Sequence, residues 1–512
     1  VTTPLDIVLL VLDTQRADRL SCYGYQRPTS PHIDTFADES TRFRRAFAAA
    51  QWTIPSHSSM FTGCYPSLHN TVQSFTALPD SLPTLAERLM HGGYFTAAFC
   101  NNPLVGVVNN GLRRGFVSFL NYSGLLTSRP NQAGARPGMI GRYRQWFKRR
   151  LAGVLNRLQD SFARSDALLK FAFTPLMVPL WQTALSFKGN SPKSLNDTAR
   201  LLIERKGVAR DQPIFAFVNL MGVHMPYHPQ RRYLEQFAPQ VLRDRAVQRE
   251  LQRFNGDVFG WLAPLAPLAP EHQATLSDVY DAEVAGQDAY FGQFIATLRA
   301  SGRLDHTLLI VCADHGEHLG EKELIGHTIS AYNPLIHVPL IVRDPRGDFA
   351  PGTTPEHPVS TRRVFHTVLE ASGLAHGSER NLTLATAPSA DPDRGVVFSE
   401  AVPLQNVINL MRQSQPEQVT ERGFDQIRRA AISGDYKLIR LGNRDQELYN
   451  LADNPDETLN LFDLLPEQVE VLSEQLTAFI NQTNATAAVA GQVSANDDPL
   501  VQQRLQDLGY LE

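Results

Sequence analysis

Residues 7–12, IVLLVL, form an uninterrupted apolar run of strand length, and similar runs recur at 94–99, 214–220, 307–312 and 338–342. A strand with one wet face alternates apolar and polar residues, whereas an unbroken run is the pattern of a strand buried on both faces of a parallel sheet. Helix-compatible stretches lie between several of the runs. This alternation predicts an α/β fold built on a doubly wound sheet.

In such sheets ligands bind outside the carboxyl ends of the strands. Asp13 directly follows the first run, residues 219–224 (including Asn219 and His224) end and follow the third, and Asp314 with His315 follow the fourth. A single strand-end carboxylate is as well explained by a helix cap or a closed turn. Three such positions together point to a site.

With 512 residues, of which 43% are hydrophobic, the chain can bury a large core. Its length suits roughly three domains, or one oversized α/β domain with a smaller companion. A net charge of −4 argues against nucleic acid as a partner. Cys22, Cys64, Cys100 and Cys312 are far apart with no C-x-x-C spacing. They are expected to be buried free thiols, not metal ligands or a disulfide framework. No apolar run approaches the ~18 residues of a membrane span, and the first strand starts too early to leave room for a signal peptide, so a cytoplasmic protein is expected. The chain starts at Val1 and not at Met, which leaves a removed leader, and with it a periplasmic or secreted protein, open.

The stretch from about 125 to 193 interrupts the alternation. Between Arg129 and Lys170 it carries ten Lys or Arg against two acidic residues, with Trp146, Phe147, Leu151, Leu155, Leu158 and Phe162 at helix-like spacing. That pattern fits a solvated amphipathic helix packed on the body of the protein. The sharper, second reading is a lid, or a helix making peripheral membrane contact that brings the protein to a lipid or another anionic substrate.

Residues 51–63 read Gln-Trp-Thr-Ile-Pro-Ser-His-Ser-Ser-Met-Phe-Thr-Gly. They resemble the nucleophile segment of the sulfatase family of the alkaline phosphatase superfamily, where Cys-x-Pro-Ser-Arg precedes a short apolar turn and Thr-Gly. Pro55, Ser56, Thr62 and Gly63 match. Thr53 stands in place of the Cys that becomes formylglycine, so that aldehyde cannot form here, and His57 stands in place of the Arg. Asp13-Thr-Gln-Arg-Ala-Asp18 with Cys22-Tyr-Gly24 resembles the family's first metal segment, which usually opens on two Asp residues; here the second is Thr14, held in reserve as a ligand. Ala313-Asp-His-Gly-Glu317 resembles the second metal segment. Met221-Gly-Val-His-Met-Pro-Tyr227 is similar to the His-x-Pro-His or His-x-Pro-Tyr segment, and His327 falls where many sulfatases carry Lys.

The resemblance implies an alkaline phosphatase/sulfatase-like doubly wound sheet with a smaller C-terminal α+β subdomain. The sulfatase-like catalytic domain would span 1–389, with the basic helical insertion at about 125–193. The C-terminal subdomain would span 390–512, with a small antiparallel sheet and terminal helices, the last over 504–511. Asp13, Asp314, His315 and the Thr53 oxygen would hold one divalent metal ion. A donor set mixing carboxylates and imidazole suits Zn or Mn, with Ca also admitted. His224 would contact or protonate the leaving-group oxygen, and His327 is a second proton donor. His57, about one turn beyond Thr53, would hydrogen-bond the nucleophile or touch substrate. His228 has no counterpart and is read as a surface or supporting residue, and Asn101 or Asn102 falls near a Lys-Trp-His stretch that this chain lacks.

These roles predict a phosphate ester hydrolase acting on a small-molecule or lipid phosphodiester or phosphonate monoester through a covalent phosphothreonine. Phosphorus is expected over sulfur because a simple threonine sulfate lacks the C–O cleavage exit of the formylglycine hydrate. One ion with histidines matches a monoanionic ester better than a dianionic one. A sulfatase-like sulfuric ester hydrolase and a phosphotransferase are the enzymatic alternatives. A decayed binding protein on the same fold is the alternative without catalysis. A homo-oligomer is left open.

Overall fold

Asp6–Leu12 (β1) is buried along its whole length, and its side chains divide between two cores as the pleat of a strand dictates. Val8, Leu10 and Leu12 enter one hydrophobic cluster. Ile7, Leu9 and Val11 enter the other. The computed structural model describes residues 4–123, 131–132, 188–256, 268–487 and 491–492. Most of the basic insertion and the expected closing helix at 504–511 lie outside the described residues.

β1 is central in an eight-stranded sheet whose other members, in chain order, are Thr41–Arg42 (β2), Phe95–Cys100 (β3), Ser118–Asn121 (β4), Asn131–Gln132 (β5), Ile214–Leu220 (β6), Thr307–Cys312 (β7) and Leu340–Arg343 (β8). The spatial order is β2-β8-β7-β1-β6-β3-β4-β5. β7, β1, β6, β3 and β4 run parallel, so the expected α/β fold is present.

The run at 338–342 departs from the expected parallel pattern. Pro339 divides it: Val338 pairs with Ala46 in a small separate sheet, and β8 runs antiparallel to β7. Apolar content reports burial and carries no strand direction, so the sequence pattern could not separate the two cases.

Helices cover both faces. On the first lie Pro31–Asp38 (α1), Ser191–Glu204 (α4) and the 31-residue Pro270–Ala300 (α5), which contribute Phe36, Leu202, Phe291 and Leu298 to that core. On the second lie Thr53–Thr62 (α2), Leu85–His91 (α3) and Arg363–Ala371 (α6), with Met60, Phe61, Leu89 and Val368 buried there. α2 stops at Gly63, whose φ of 72° is left-handed. A Cβ there would also come within 2.6 Å of His366, so glycine satisfies both the backbone and the close approach of α6.

Val397–Ala401 (β9), Arg428–Ser433 (β10), Tyr436–Leu441 (β11) and Arg444–Asn450 (β12) form a four-stranded antiparallel sheet. Pro466–Thr486 (α7) packs on it through Leu472, Leu476 and Phe479, and Phe479 stacks on Phe398 with ring centroids 4.1 Å apart. Ala49 and Tyr65, flanking α2, belong to the same cluster. This second sheet therefore braces the segment that presents Thr53. Among the described residues, all four cysteines are free, Cys100 and Cys312 buried and Cys22 and Cys64 partly so, and no helix is long and apolar enough to cross a membrane.

Candidate active site

The carboxyl ends of β1 and β7 bring Asp13, Asp314 and His315 together, with one ligand-type atom from each within 4.8 Å of the others. Thr53, the first residue of α2, adds its Oγ1 at 3.3 Å from His315 Nε2. All four residues are fully buried. The chain thus gathers two carboxylates, an imidazole and an alcohol from positions up to 302 residues apart.

Each side chain is aimed by its neighbours. Asp13 Oδ2 accepts from Asn102 Nδ2 at 2.7 Å and from Asn219 Nδ2 at 3.1 Å, while its Oδ1 has no hydrogen-bond partner among the described residues. Asp314 Oδ1 accepts the backbone N–H of His315 at 3.0 Å and of Thr14 at 3.3 Å, and its Oδ2 likewise lacks a partner. His315 Nδ1 lies 2.9 Å from the Gly316 carbonyl, to which it must donate, so Nε2 presents a lone pair. That Nε2 is 3.4 Å from Asp314 Oδ2 and 3.9 Å from Asp13 Oδ1. Thr14 takes a left-handed φ of 60°, with its carbonyl accepting from Tyr280 at 2.7 Å and its buried hydroxyl unpartnered.

This donor set fits a divalent cation. Two carboxylate oxygens without partners and an imidazole lone pair converge in a buried site, an arrangement costly without a positive charge between them. Burial and the adjacent Asp13 carboxylate push Asp314 well up. At Asp13 burial acts in the same upward direction, and His224, His315, His57 and the Asn102 hydrogen bond outweigh it to hold the group down. Burial holds His315 well below the usual imidazole range, with His327 adding to the effect, which keeps its Nε2 available as a ligand.

His224 and His327 face the same place. Their ring centroids are 4.9 Å apart, and His327 lies 4.6 Å from the His315 ring. Burial lowers the pKa of His224, with His327 next. Burial also disfavours charge on His327, but the Glu317 carboxylate, 2.6 Å from its Nδ1, outweighs it and raises the pKa.

His57 is placed differently from the expectation. α2 begins at Thr53, so His57 is four residues on and its Nδ1 folds back onto the Thr53 carbonyl at 2.9 Å. It sits 3.4 Å from Asp314 Oδ2, edge-on to Phe61 and Phe217, and is fully buried. It supports the backbone of the nucleophile and the carboxylate, not the hydroxyl. His228 is buried too, and not a surface residue. Asn101 turns away to Ser194 and the Asn219 carbonyl.

Three residues carry roles that sequence reasoning did not give them. Asn102 and Asn219 orient Asp13, and Glu317 anchors His327. Asn219 and Glu317 lay within segments already singled out at strand ends, and a carboxylate two residues after His315 was the available signal.

Fold and site together define a hydrolase of the alkaline phosphatase-like sulfatase type, with three residues grouped so that they could hold a metal ion. Residues 6–374 match the family described as Sulfatase, and the chain belongs to the sulfatase family. It is 25% identical over 449 residues to the steryl-sulfatase of Mus musculus, covering 74% of this chain and spanning 63% of that protein. It is 21% identical over 481 residues to arylsulfatase K of Xenopus laevis, covering 90% of this chain and 79% of the other. Among solved structures, the phosphonate monoester hydrolase of Agrobacterium radiobacter superposes with a TM-score of 0.64 at 20% identity, covering 94% of this chain and 96% of its own.

Proposed function

We propose that this protein is a metal-dependent hydrolase of phosphodiesters or phosphonate monoesters that uses Thr53 as its nucleophile. The carrying observation is the Thr53 hydroxyl, 3.3 Å from His315 Nε2, at the N-terminus of α2 and at the edge of the Asp13, Asp314 and His315 cluster. A divalent ion held by those three residues and the Thr53 oxygen would neutralise the carboxylates and favour the alkoxide form of the alcohol.

Thr53 Oγ1, its proton released to solvent as the alkoxide forms, would attack phosphorus, forming the P–O(Thr) bond as the P–O bond to the leaving group breaks. The departing oxygen takes a proton from the His224 and His327 pair. Glu317 anchors the His327 ring through Nδ1, and His224 stands beside it and shares delivery of that proton to the departing oxygen. Water then attacks the phosphothreonine, the P–O(Thr) bond breaks, Thr53 regains its proton and the phosphoryl product leaves. Phosphoryl transfer through a plain threonine closes this cycle. A threonine sulfate would need attack at sulfur, without the exit that a formylglycine hydrate provides.

A second reading, a sulfuric ester hydrolase that uses Thr53, is favoured by the names of the sequence relatives, which are sulfatases. Fold alone does not choose between the two. Turnover of matched aryl phosphodiester, phosphonate, phosphomonoester and sulfate substrates, with metal-reconstituted wild type beside Thr53→Ala, tests the proposal. A diester or phosphonate preference that the substitution abolishes is expected. Dominant sulfate cleavage would overturn the phosphoryl reading in favour of the second.

A further inference from the structure

The 222–228 loop, which carries His224, is irregular, and side chains from four other segments fix its backbone. Gln287 Oε1 accepts the Gly222 N–H at 2.9 Å, and Glu317 Oε2 accepts that of Met225 at 3.4 Å. Asn255, from the helix Arg245–Gly256, bonds both the N–H and the carbonyl of Tyr227 at 2.8 Å. The two ends of the loop share one ion pair. Lys188 Nζ donates to the Gly222 carbonyl at 3.0 Å and to Glu283 Oε1 at 2.7 Å, and the same Glu283 oxygen accepts the His228 N–H at 2.7 Å. Both charged side chains are 4% exposed.

Burying such a pair contributes little to stability, because desolvation cancels much of the attraction. Its geometry gives it another use. Glu283 and Gln287 lie one turn apart on α5, so a rigid helix and one lysine together set the span between the start and the end of the loop.

We propose that Lys188 and Glu283 are positioning residues for the reaction: their buried pair clamps the 222–228 loop and holds His224 at the departing oxygen. This rests on the role given to His224 above, and it predicts that breaking the clamp damages leaving-group departure specifically.

A lone Lys188→Met substitution would strand a buried carboxylate and destabilise the fold for that reason alone. Lys188→Met/Glu283→Leu removes both charges and both tethers, a replacement that folded proteins generally tolerate. Turnover of a series of phosphonate or diester substrates from nitrophenyl to alkyl leaving groups would be compared for wild type, this double variant and His224→Ala. In parallel, hydrogen exchange would be followed in the loop amides. We expect alkyl esters to lose at least about 10-fold more rate than nitrophenyl esters in the double variant and in His224→Ala. Exchange across 222–228 should rise in the double variant while the rest of α5 stays protected. Lys188→Met/Glu283→Gln, which restores an acceptor for His228, should recover part of the protection.

If His224→Ala steepens the leaving-group dependence and the double variant does not, the positioning role is overturned. If His224→Ala itself leaves the dependence unchanged, the role of His224 fails, and the exchange data decide the clamp alone. Undiminished protection at 222–228 in the double variant overturns it.

Discussion

The Glu317 carboxylate lies 2.6 Å from Nδ1 of His327, with both side chains buried. Glu317 also accepts the Met225 N–H, so one carboxylate links the histidine to the loop that bears His224. Glu317→Gln is expected to lower kcat on alkyl esters by roughly 10- to 100-fold and on nitrophenyl esters far less, because a nitrophenolate leaves without a proton. Equal losses on both substrates would place Glu317 outside proton delivery.

Metal content should appear in stability as well as in activity. Asp13 Oδ1 and Asp314 Oδ2 lack partners in a buried site, so an ion that binds only the folded chain stabilises it, by about 4 kcal/mol at a thousandfold excess over Kd. Chelation is expected to lower Tm, and Zn or Mn to restore it. Asp314→Asn should lose most of that metal-dependent shift in differential scanning calorimetry.

Asn102 donates to Asp13 Oδ2, so it would act on a bound metal through that carboxylate. Removing such a supporting hydrogen bond typically weakens metal affinity about 10- to 100-fold. Asn102→Ala should therefore raise the metal Kd in a competition titration with a chromophoric chelator, while kcat at saturating metal changes less. An unchanged Kd would show that Asn219 alone suffices to orient Asp13.

A pH effect is expected away from the site. Asp288 on α5 accepts the N–H groups of Ile33 at 2.8 Å and His32 at 3.2 Å at the start of α1, and burial pushes its carboxyl up to about 7 against the lowering effect of those donors. A carboxyl raised on folding binds its proton more tightly in the native state. Its stabilising contribution is complete below the unfolded value of about 3.9 and is lost as pH rises through the folded one. The stability difference between wild type and Asp288→Asn should accordingly shift against wild type between pH 5 and pH 8, as read from urea midpoints. A constant difference would mean that the two N–H groups hold the carboxylate ionised throughout.

Much of the site was legible because it sits where buried strands end. The apolar runs before Asp13, Asn219 and Asp314 marked three parallel strands, and parallel strands deliver their carboxyl ends to one side of a sheet. What stayed hidden was orientation. Nothing in a linear pattern says that His57 will fold back onto its own helix, or that Asn102 will reach Asp13 across 89 positions. The direction of β8 was hidden for a related reason, since an antiparallel strand and a parallel one can bury equally apolar residues. His228 shows the same limit: a polar residue in an irregular loop reads as exposed until the helix that covers it is placed.

The division of β1 between two cores fixes how deep the Asp13 carboxylate sits. Ile7, Leu9 and Val11 face one side and Val8, Leu10 and Leu12 the other, so losing or gaining one residue within the strand would exchange every side chain between the faces. The depth of Asp13 is thereby counted in whole residues and cannot drift by small steps. The loops around the site could change length without moving Asp13, but the strand that sets its position admits no insertions, which separates what the fold can vary from what it must keep.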